Sequence, residues 1–213
     1  MPLTDLPFIP RQAAWSPDRT SGLIGGGSHI CEGIALVDRT GIHPWTMRLG
    51  AGTSSFDFAD FLPPSEDCTG TGNADLPAWS RDGTRVAFLA STAAVGVSGP
   101  ARTDASWTLY TVDGNLAGPA TLLDGITGPA ALRWSPDGRW LAMAGSVDGF
   151  EGLWLIESAS GRPIRISNYP FWFDLDWSWD GSRIVGLRDE TTMGGARAAE
   201  IVIRDVSSIV HTK

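Results

Sequence analysis

The sequence of 213 residues is poor in several features, and each shortage narrows its interpretation. It holds only two cysteines, Cys31 and Cys68, which are too few for a disulfide scaffold and would pair only in an oxidising compartment. No apolar run reaches the roughly eighteen residues that a membrane-spanning helix needs. Basic residues number 16 against 24 acidic ones, and a net charge of −8 argues against binding a nucleic-acid backbone. A basic protein partner or a neutral ligand fits this composition better.

The first ten residues, MPLTDLPFIP, lack the basic and apolar regions of a secretory signal peptide. The sequence therefore leaves the compartment open: periplasmic or extracellular if an upstream segment precedes the chain, and cytoplasmic otherwise. A chain of this length can bury roughly 70% of the surface that its unfolded form exposes. It therefore needs no metal ion or disulfide framework to build a core.

One short motif occurs four times: AAWSPDRT from Ala13, PAWSRDGTRVAFLA from Pro77, LRWSPDGRWLAMAG from Leu132 and LDWSWDGSRIVGL from Leu175. Proline presets the second position of a type I turn, aspartate tolerates the third, and glycine adopts the left-handed conformation that follows. Each copy therefore predicts a short hairpin with a bulge. The structural residues of the repeat are Trp15, Trp79, Trp134, Trp177, Asp82, Asp137, Asp180, Gly83, Gly138 and Gly181.

Arg19 stands where the turn of the first repeat requires glycine. The first unit therefore either holds a non-glycine residue at positive φ or uses a different turn.

Short strands are predicted after each turn. The segment that follows is apolar on both alternating faces, which is typical of a strand covered on both sides. A second strand ending in an acidic or polar residue comes next, at 34–38, 107–113, 153–157 and 201–205. A further strand is predicted at 46–49, 121–123 and 163–167. Each unit thus holds about four strands, and no amphipathic helical stretch separates the units.

Four-stranded units that are apolar on both faces are stable only when they stack, and radial stacking buries both faces. The sequence therefore predicts an all-β protein, a β-propeller of four-stranded antiparallel blades, with about four blades in the chain. We expect a single propeller domain over residues 1–213. Its predicted blades are at about 11–50, 76–124, 130–168 and 173–213, with an insertion at 51–75. A β-sandwich or barrel is the alternative.

The Trp-Ser-Pro-Asp-Gly motif, followed by a basic or polar residue and an apolar strand, resembles the TolB-type, WD-repeat-like propeller repeat. That repeat also occurs in the propeller domains of prolyl-oligopeptidase relatives and of the tricorn protease. The resemblance covers nearly the whole chain and implies the fold, but one repeat serves many functions. TolB-like propellers have six blades. Four units imply one of three arrangements: a small closed ring, a ring with blades supplied by a second copy, or part of a longer protein. Residues 3–6 are candidates for an outer strand that closes the ring in the last blade.

In the family that the chain resembles, the links between blades and between the second and third strands of a blade lie opposite the repeat turns. Here those links are long, aromatic and acidic, which suits a protein partner or a sugar stacked on a ring. The predicted binding residues are Phe56, Asp57, Phe58, Asp60, Phe61, Arg102, Asp104, Asp148, Glu151, Tyr169, Phe171, Trp172, Asp189 and Glu190. The alternative is that the aromatic residues at 56–61 and 171–172 fold back to cover the ends of the blades.

The residue before each repeat tryptophan is expected at a similar depth around the propeller axis. Arg133 and Asp176 hold this position in neighbouring blades, which predicts an ion pair in or near the central channel. A structural role for this pair, in which two buried charges satisfy each other, is favoured over ligand binding.

The sequence holds no complete catalytic motif. Residues 96–99 only partly imitate a Gly-x-Ser-x-Gly elbow. The residues His29, Cys31, His43 and Cys68 match no common zinc spacing, and no calcium loop is present. We therefore predict no catalytic residue, metal site or cofactor.

The function predicted from the sequence is a non-catalytic module that binds a protein through its loop-rich face, or a subunit of a homo-oligomer or larger assembly. The alternative is a carbohydrate-active or hydrolase-associated propeller, or a detached part of a larger propeller enzyme, with its cleft at the same face.

Overall fold

The computed structural model describes residues 9–27, 32–44, 47–49, 54–56, 73–91, 106–114, 116, 119–170, 172–191 and 197–210. Within them lie sixteen strands and one helix, α1 (Ser207–Val210). The strands are β1 (Ile9–Trp15), β2 (Gly22–Gly27), β3 (Glu32–Asp38), β4 (Gly41–Pro44), β5 (Met47–Leu49), β6 (Ser54–Phe56), β7 (Asn73–Trp79), β8 (Arg85–Ser91), β9 (Trp107–Asp113), β10 (Ala120–Trp134), β11 (Trp140–Val147), β12 (Phe150–Glu157), β13 (Pro163–Ser167), β14 (Trp172–Trp177), β15 (Arg183–Thr191) and β16 (Arg197–Asp205).

All strand pairs are antiparallel, and they group into blades. Blade 1 is the sheet β1-β2-β3-β4, and blade 4 is the sheet β14-β15-β16. A seven-stranded sheet holds two blades because they share β10. Residues 120–126 of β10 pair with β9 and complete blade 2, whereas residues 126–134 pair with β11 and begin blade 3. The predicted all-β propeller with antiparallel blades is confirmed.

The predicted outer strands at 121–123 and 163–167 lie in β10 and β13. The outer strand predicted at 46–49 is wrong, because β4 pairs with β3 in blade 1, while β5 pairs with β6. The reason is a tight turn directly after β3. There the Asp38 carboxylate accepts hydrogen bonds from the backbone N–H groups of Thr40 and Gly41, so the chain reverses at once. Residues 3–6 lie outside the described residues, and β7 begins inside the predicted insertion.

The innermost strands β1, β7, β10 and β14 lie side by side in chain order. In blades 3 and 4, the repeat tryptophan at the end of the innermost strand faces the blade before it. The Trp134 indole N–H donates to the main-chain oxygen of Ala78 over 3.0 Å, and the Trp177 indole N–H donates to that of Arg133 over 3.3 Å. Each acceptor directly precedes the repeat tryptophan of the previous blade, so these bonds fix the register of blade 3 on blade 2 and of blade 4 on blade 3. The buried indole N–H of Trp79 in blade 2 makes no such bond.

Apolar side chains fill the spaces between consecutive blades. Leu23 and Ile34 of blade 1 pack against Phe88 of blade 2. Leu89 and Trp107 of blade 2 pack with Leu132, Met143 and other residues of blade 3. Small residues of blade 3, Ala142 and Ala144 among them, pack with the large side chains of blade 4. Both faces of the middle blades are therefore covered, as their apolar sequences predict.

The four repeat turns use the same hydrogen bonds. The serine Oγ donates to the aspartate two residues later, over 2.6 to 2.7 Å, and accepts the N–H of the residue five positions later. The aspartate also accepts a backbone N–H two residues further on. In blade 2, these bonds from Ser80 and Thr84 lower the pKa of Asp82 to about 2. The carboxylate that closes this turn therefore stays ionised until the pH falls well below 4.

The first turn keeps this geometry despite lacking glycine. Arg19 has a φ of 58°, close to the 73°, 69° and 71° of Gly83, Gly138 and Gly181. The repeat therefore imposes the left-handed conformation on an arginine, the first of the two alternatives that its sequence left open.

Replacing Arg19 with glycine should stabilise the protein by about 0.5 to 1 kcal/mol, because it removes the left-handed strain of a side chain and adds back only the backbone entropy of glycine. The measurement is the free energy of unfolding by urea. Arg39→Gly is the control, since Arg39 is also an exposed turn residue but is not at positive φ. If Arg19→Gly and Arg39→Gly changed the free energy of unfolding by the same amount, Arg19 would not be strained at positive φ.

The tryptophan bond between blades can be weighed by comparing two buried tryptophans. Trp134 donates its indole N–H to Ala78, whereas the buried indole N–H of Trp140 has no hydrogen-bond partner. Substitution by phenylalanine removes similar volume from both, so Trp134→Phe should cost about 1 kcal/mol more than Trp140→Phe in the free energy of unfolding. Equal losses would show that this bond contributes nothing to blade stacking.

Candidate functional site

Three of the predicted binding residues lie with well-defined surroundings at one end of the propeller. Asp148 lies in the tip of the β11–β12 hairpin, Glu151 lies near the start of β12, and Tyr169 lies in the link between β13 and β14. Antiparallel alternation places both connections at the end opposite the repeat turns. Asp124, in the link from blade 2 to blade 3, lies at this end too. We call Asp124, Asp148, Phe150, Glu151, Arg165 and Tyr169 the link face.

The hairpin tip has a fixed conformation. Val147 pairs with Phe150, so Asp148 and Gly149 form a two-residue turn, with φ values of 50° and 81°. Positive φ at both positions is the type I′ geometry that suits twisted hairpins and favours an Asp-Gly sequence. The N–H of Asp148 also donates to the oxygen of Gly125 over 3.1 Å, which ties the tip to the link between blades 2 and 3.

The side of the hairpin is held by blade 3's outer strand. Gly152 has a φ of 156°, and a Cβ there would lie only 2.0 Å from the oxygen of Ser167. The Arg165 guanidinium donates to the main-chain oxygen of Glu151. It also lies 5.8 Å from the ring centroid of Phe150 and 5.9 Å from that of Trp154. These contacts set the direction in which the tip projects.

Phe150 is the most prominent apolar side chain of the link face, with 60% of its surface exposed. Its neighbours Asp148 and Glu151 are exposed as well. The sequence analysis named both acids but missed Phe150. The available signal was an aromatic residue directly after Asp-Gly, at the tip of a predicted hairpin. The structure thus presents an exposed aromatic ring on a hairpin held by backbone hydrogen bonds, and the two residues Asp148 and Glu151 near it in the sequence are exposed acids.

A second cluster fixes the link between blades 3 and 4. The Arg188 guanidinium lies 4.0 Å from the ring centroid of Tyr169. Its Nε donates to a carboxylate oxygen of Glu200 over 2.6 Å. Tyr169 is thereby held against strands β15 and β16 of blade 4, and its ring is partly covered.

Trp172 does not belong to the link face. Its side chain is buried among the apolar residues between blades 3 and 4, and its indole N–H donates to the oxygen of Tyr169 over 2.9 Å. The prediction that Trp172 binds a partner is therefore wrong, and the alternative of a covering aromatic holds for this residue. A side chain of this size gains more from the core than from the rim.

The other predicted binding residues stay predictions. The structure describes only the backbone of Phe56 in β6 and of Asp189 and Glu190 in β15. The rest lie outside the described residues: Asp57, Phe58, Asp60, Phe61, Arg102, Asp104 and Phe171.

The predicted ion pair between Arg133 and Asp176 is wrong in its partner. Arg133 pairs with Asp174 over 2.9 Å, whereas Asp176 accepts the N–H of Trp177. The guanidinium also donates to the main-chain oxygen of Leu132. This bond holds the Arg133 side chain beside Asp174 and not beside Asp176. Both side chains are partly exposed, and such a pair contributes at most about 1 kcal/mol to stability.

Within the described ranges, no three His, Cys, Asp or Glu residues converge as metal ligands would. Cys31, Cys68 and His29 lie outside those ranges. No helix in the described part of the chain has the length and apolar character to cross a membrane.

Several solved structures share this architecture. TolB from Acinetobacter baumannii superposes with a TM-score of 0.61 and 18% identity over 94% of this chain and 42% of that chain. A putative TolB from Agrobacterium tumefaciens superposes with a TM-score of 0.59 and 17% identity, over 92% of this chain and 61% of that chain. An oligogalacturonate lyase in complex with manganese superposes with a TM-score of 0.51 and 15% identity, over 92% of this chain and 62% of that chain. The fold is a TolB-like β-propeller.

This chain spans less than two thirds of each of those proteins. No family model and no curated protein matches the sequence. The comparisons therefore establish the fold of the chain, and one fold serves many functions.

The rigidity of the hairpin can be tested at its two glycines. A Cβ at Gly149 would meet no atom within 4 Å, so Gly149→Ala should cost only about 1 kcal/mol for the left-handed backbone. Gly152→Ala should cost about 3 kcal/mol, because the methyl group collides with the backbone of Ser167. Free energies of unfolding measure both. Equal costs would mean that β13 does not constrain the hairpin.

Proposed function

We propose that the chain is a non-catalytic propeller domain, extending over residues 1–213, that binds a protein partner through the link face. The observation that carries this proposal is the exposed Phe150 ring on a hairpin that backbone hydrogen bonds hold in place, with the exposed acidic residues Asp148 and Glu151 near it in the sequence. No residue is assigned a catalytic role.

Phe150 suits an anchor for a partner. Aromatic residues at the centre of an interface contribute a large share of the binding energy when they enter a pocket. Asp148, Gly149 and Gly152 already hold the hairpin in one conformation, so little conformational entropy is lost on association. The anchor is therefore ready to dock without rearrangement.

The charges of the link face define the partner further. Asp124, Asp148 and Glu151 are exposed, and Asp124 accepts a hydrogen bond from the Thr108 hydroxyl over 2.6 Å. A complementary surface carries an apolar pocket with lysine or arginine at its rim. Binding should weaken with added salt, since exposed charges are screened.

The test is site-specific crosslinking from position 150. A benzoylphenylalanine at 150 should capture a distinct protein in source cells, and one at Trp179 should not. Trp179 is the matched control because it is an exposed aromatic residue in a repeat turn at the opposite end. The captured protein is then purified, and its dissociation constant is measured with the unmodified chain, Phe150→Ala and Trp179→Ala.

We expect Phe150→Ala to weaken binding at least about tenfold and Trp179→Ala to leave it unchanged. Equal affinities for all three would overturn the proposal. Titration with oligogalacturonate and Mn²⁺ covers the carbohydrate alternative. Saturable sugar binding that Phe150→Ala abolishes would replace the protein partner by a carbohydrate.

A further inference from the structure

Blade 4 exposes an apolar sheet face. Ile201 and Ile203 of β16 are 68% and 64% exposed, and Val185 and Leu187 of β15 are exposed beside them. Val185 pairs with Ile203 and Leu187 with Ile201, so the four side chains form one continuous patch. We call them the lateral patch. Contiguous exposed apolar surface of this kind marks an interaction site.

The lateral patch corresponds to a surface that is covered elsewhere in the same molecule. In blade 3, Ala142 and Leu155 lie level with Arg133, the residue before the repeat tryptophan. In blade 4, Val185 and Ile203 lie level with Asp176, the equivalent residue. Ala142 and Leu155 are fully buried against blade 4. The lateral patch is thus the face on which a following blade packs.

Blade 1 carries the complementary feature. Trp15 is 58% exposed, whereas its equivalents Trp134 and Trp177 are buried and donate to the preceding blade. The third equivalent, Trp79, packs against the cluster between blades 1 and 2, and its buried indole N–H has no hydrogen-bond partner. On the same face of blade 1, Ile24, Ala35 and Val37 are already buried. Trp15 is therefore the accessible anchor on that face. By analogy with Trp134 and Trp177, its indole N–H would donate to the main-chain oxygen of the residue before a repeat tryptophan, and in blade 4 that residue is Asp176.

Within the described residues, no contact between β1 and β14 compares with those that join the other innermost strands. The lateral patch and Trp15 are therefore both accessible to another molecule.

We propose that the lateral patch binds Trp15 of a second copy of this chain, head to tail. The two-fold operation repeats the contact, so that the lateral patch of each chain covers Trp15 of its partner. A heterologous contact closes into a ring when the rotation permits, and two copies supply eight blades, within the four to eight that propellers typically contain.

The test begins with the mass of the intact chain in solution. Sedimentation velocity over a wide concentration range should show a species of twice the 22.7 kDa chain mass. Ile203→Asp and Trp15→Ala should each weaken the dimer at least about tenfold. Thr121→Asp, on an exposed strand position, and Trp179→Ala are the matched controls and should dimerise like the unmodified chain.

Mixing the two variants separates head-to-tail assembly from other dimers. The Trp15→Ala chain keeps its lateral patch, and the Ile203→Asp chain keeps its tryptophan, so a mixture should recover a dimer that neither variant forms alone. Far-UV circular dichroism verifies that each variant is folded, and Ile201→Asp repeats the test at a second position.

Three results would overturn the proposal. The first is a monomer at every concentration, which would leave the lateral patch to another occupant. The second is a dimer that Ile203→Asp disrupts and Trp15→Ala does not, which would indicate two lateral patches packed on each other. The third is a dimer that neither change affects. None of these results bears on Phe150, so the proposed function is judged separately.

Discussion

Each blade of this protein is apolar on both faces, and the need to cover both faces determines the rest of the architecture. No single blade can bury its own side chains, so each relies on the blade on either side. The indole bonds of Trp134 and Trp177 add direction to this packing, because each joins one blade to a specific carbonyl of the one before. Hydrophobic burial supplies most of the free energy, and these two indole bonds set the register of blades 2, 3 and 4.

This stacking makes the two ends of the propeller unequal. At one end, the four repeat turns are short and internally bonded through serine and aspartate, which leaves them little freedom. At the other end, the connections are free to vary, because the strands below them are already fixed. Phe150 and its acidic neighbours are built on this second end, where a rigid sheet supports an exposed loop.

The features that were predictable from the sequence are local and repeated. The turn chemistry of Trp-Ser-Pro-Asp-Gly gave the hairpins, and apolar alternation gave the covered strands. The errors arose where one side chain decided the geometry. Asp38 closed a turn that the pattern did not reveal, and the bend of Arg133 moved its ion pair from Asp176 to Asp174. Trp172 was assigned to the surface and lies in the core, because an aromatic link does not disclose which way its rings turn.

The two proposals reinforce each other through symmetry. In a head-to-tail ring, the two-fold axis coincides with the propeller axis, so the link faces of both copies point to the same end. Each ring would then offer two Phe150 anchors on one surface. A partner with two pockets at the matching spacing would bind both, and its second contact would form at a high effective concentration. Closing the apolar edges of the ring would thus also raise the avidity of the proposed contact at Phe150, by a factor of about 10² to 10⁴ over a single contact.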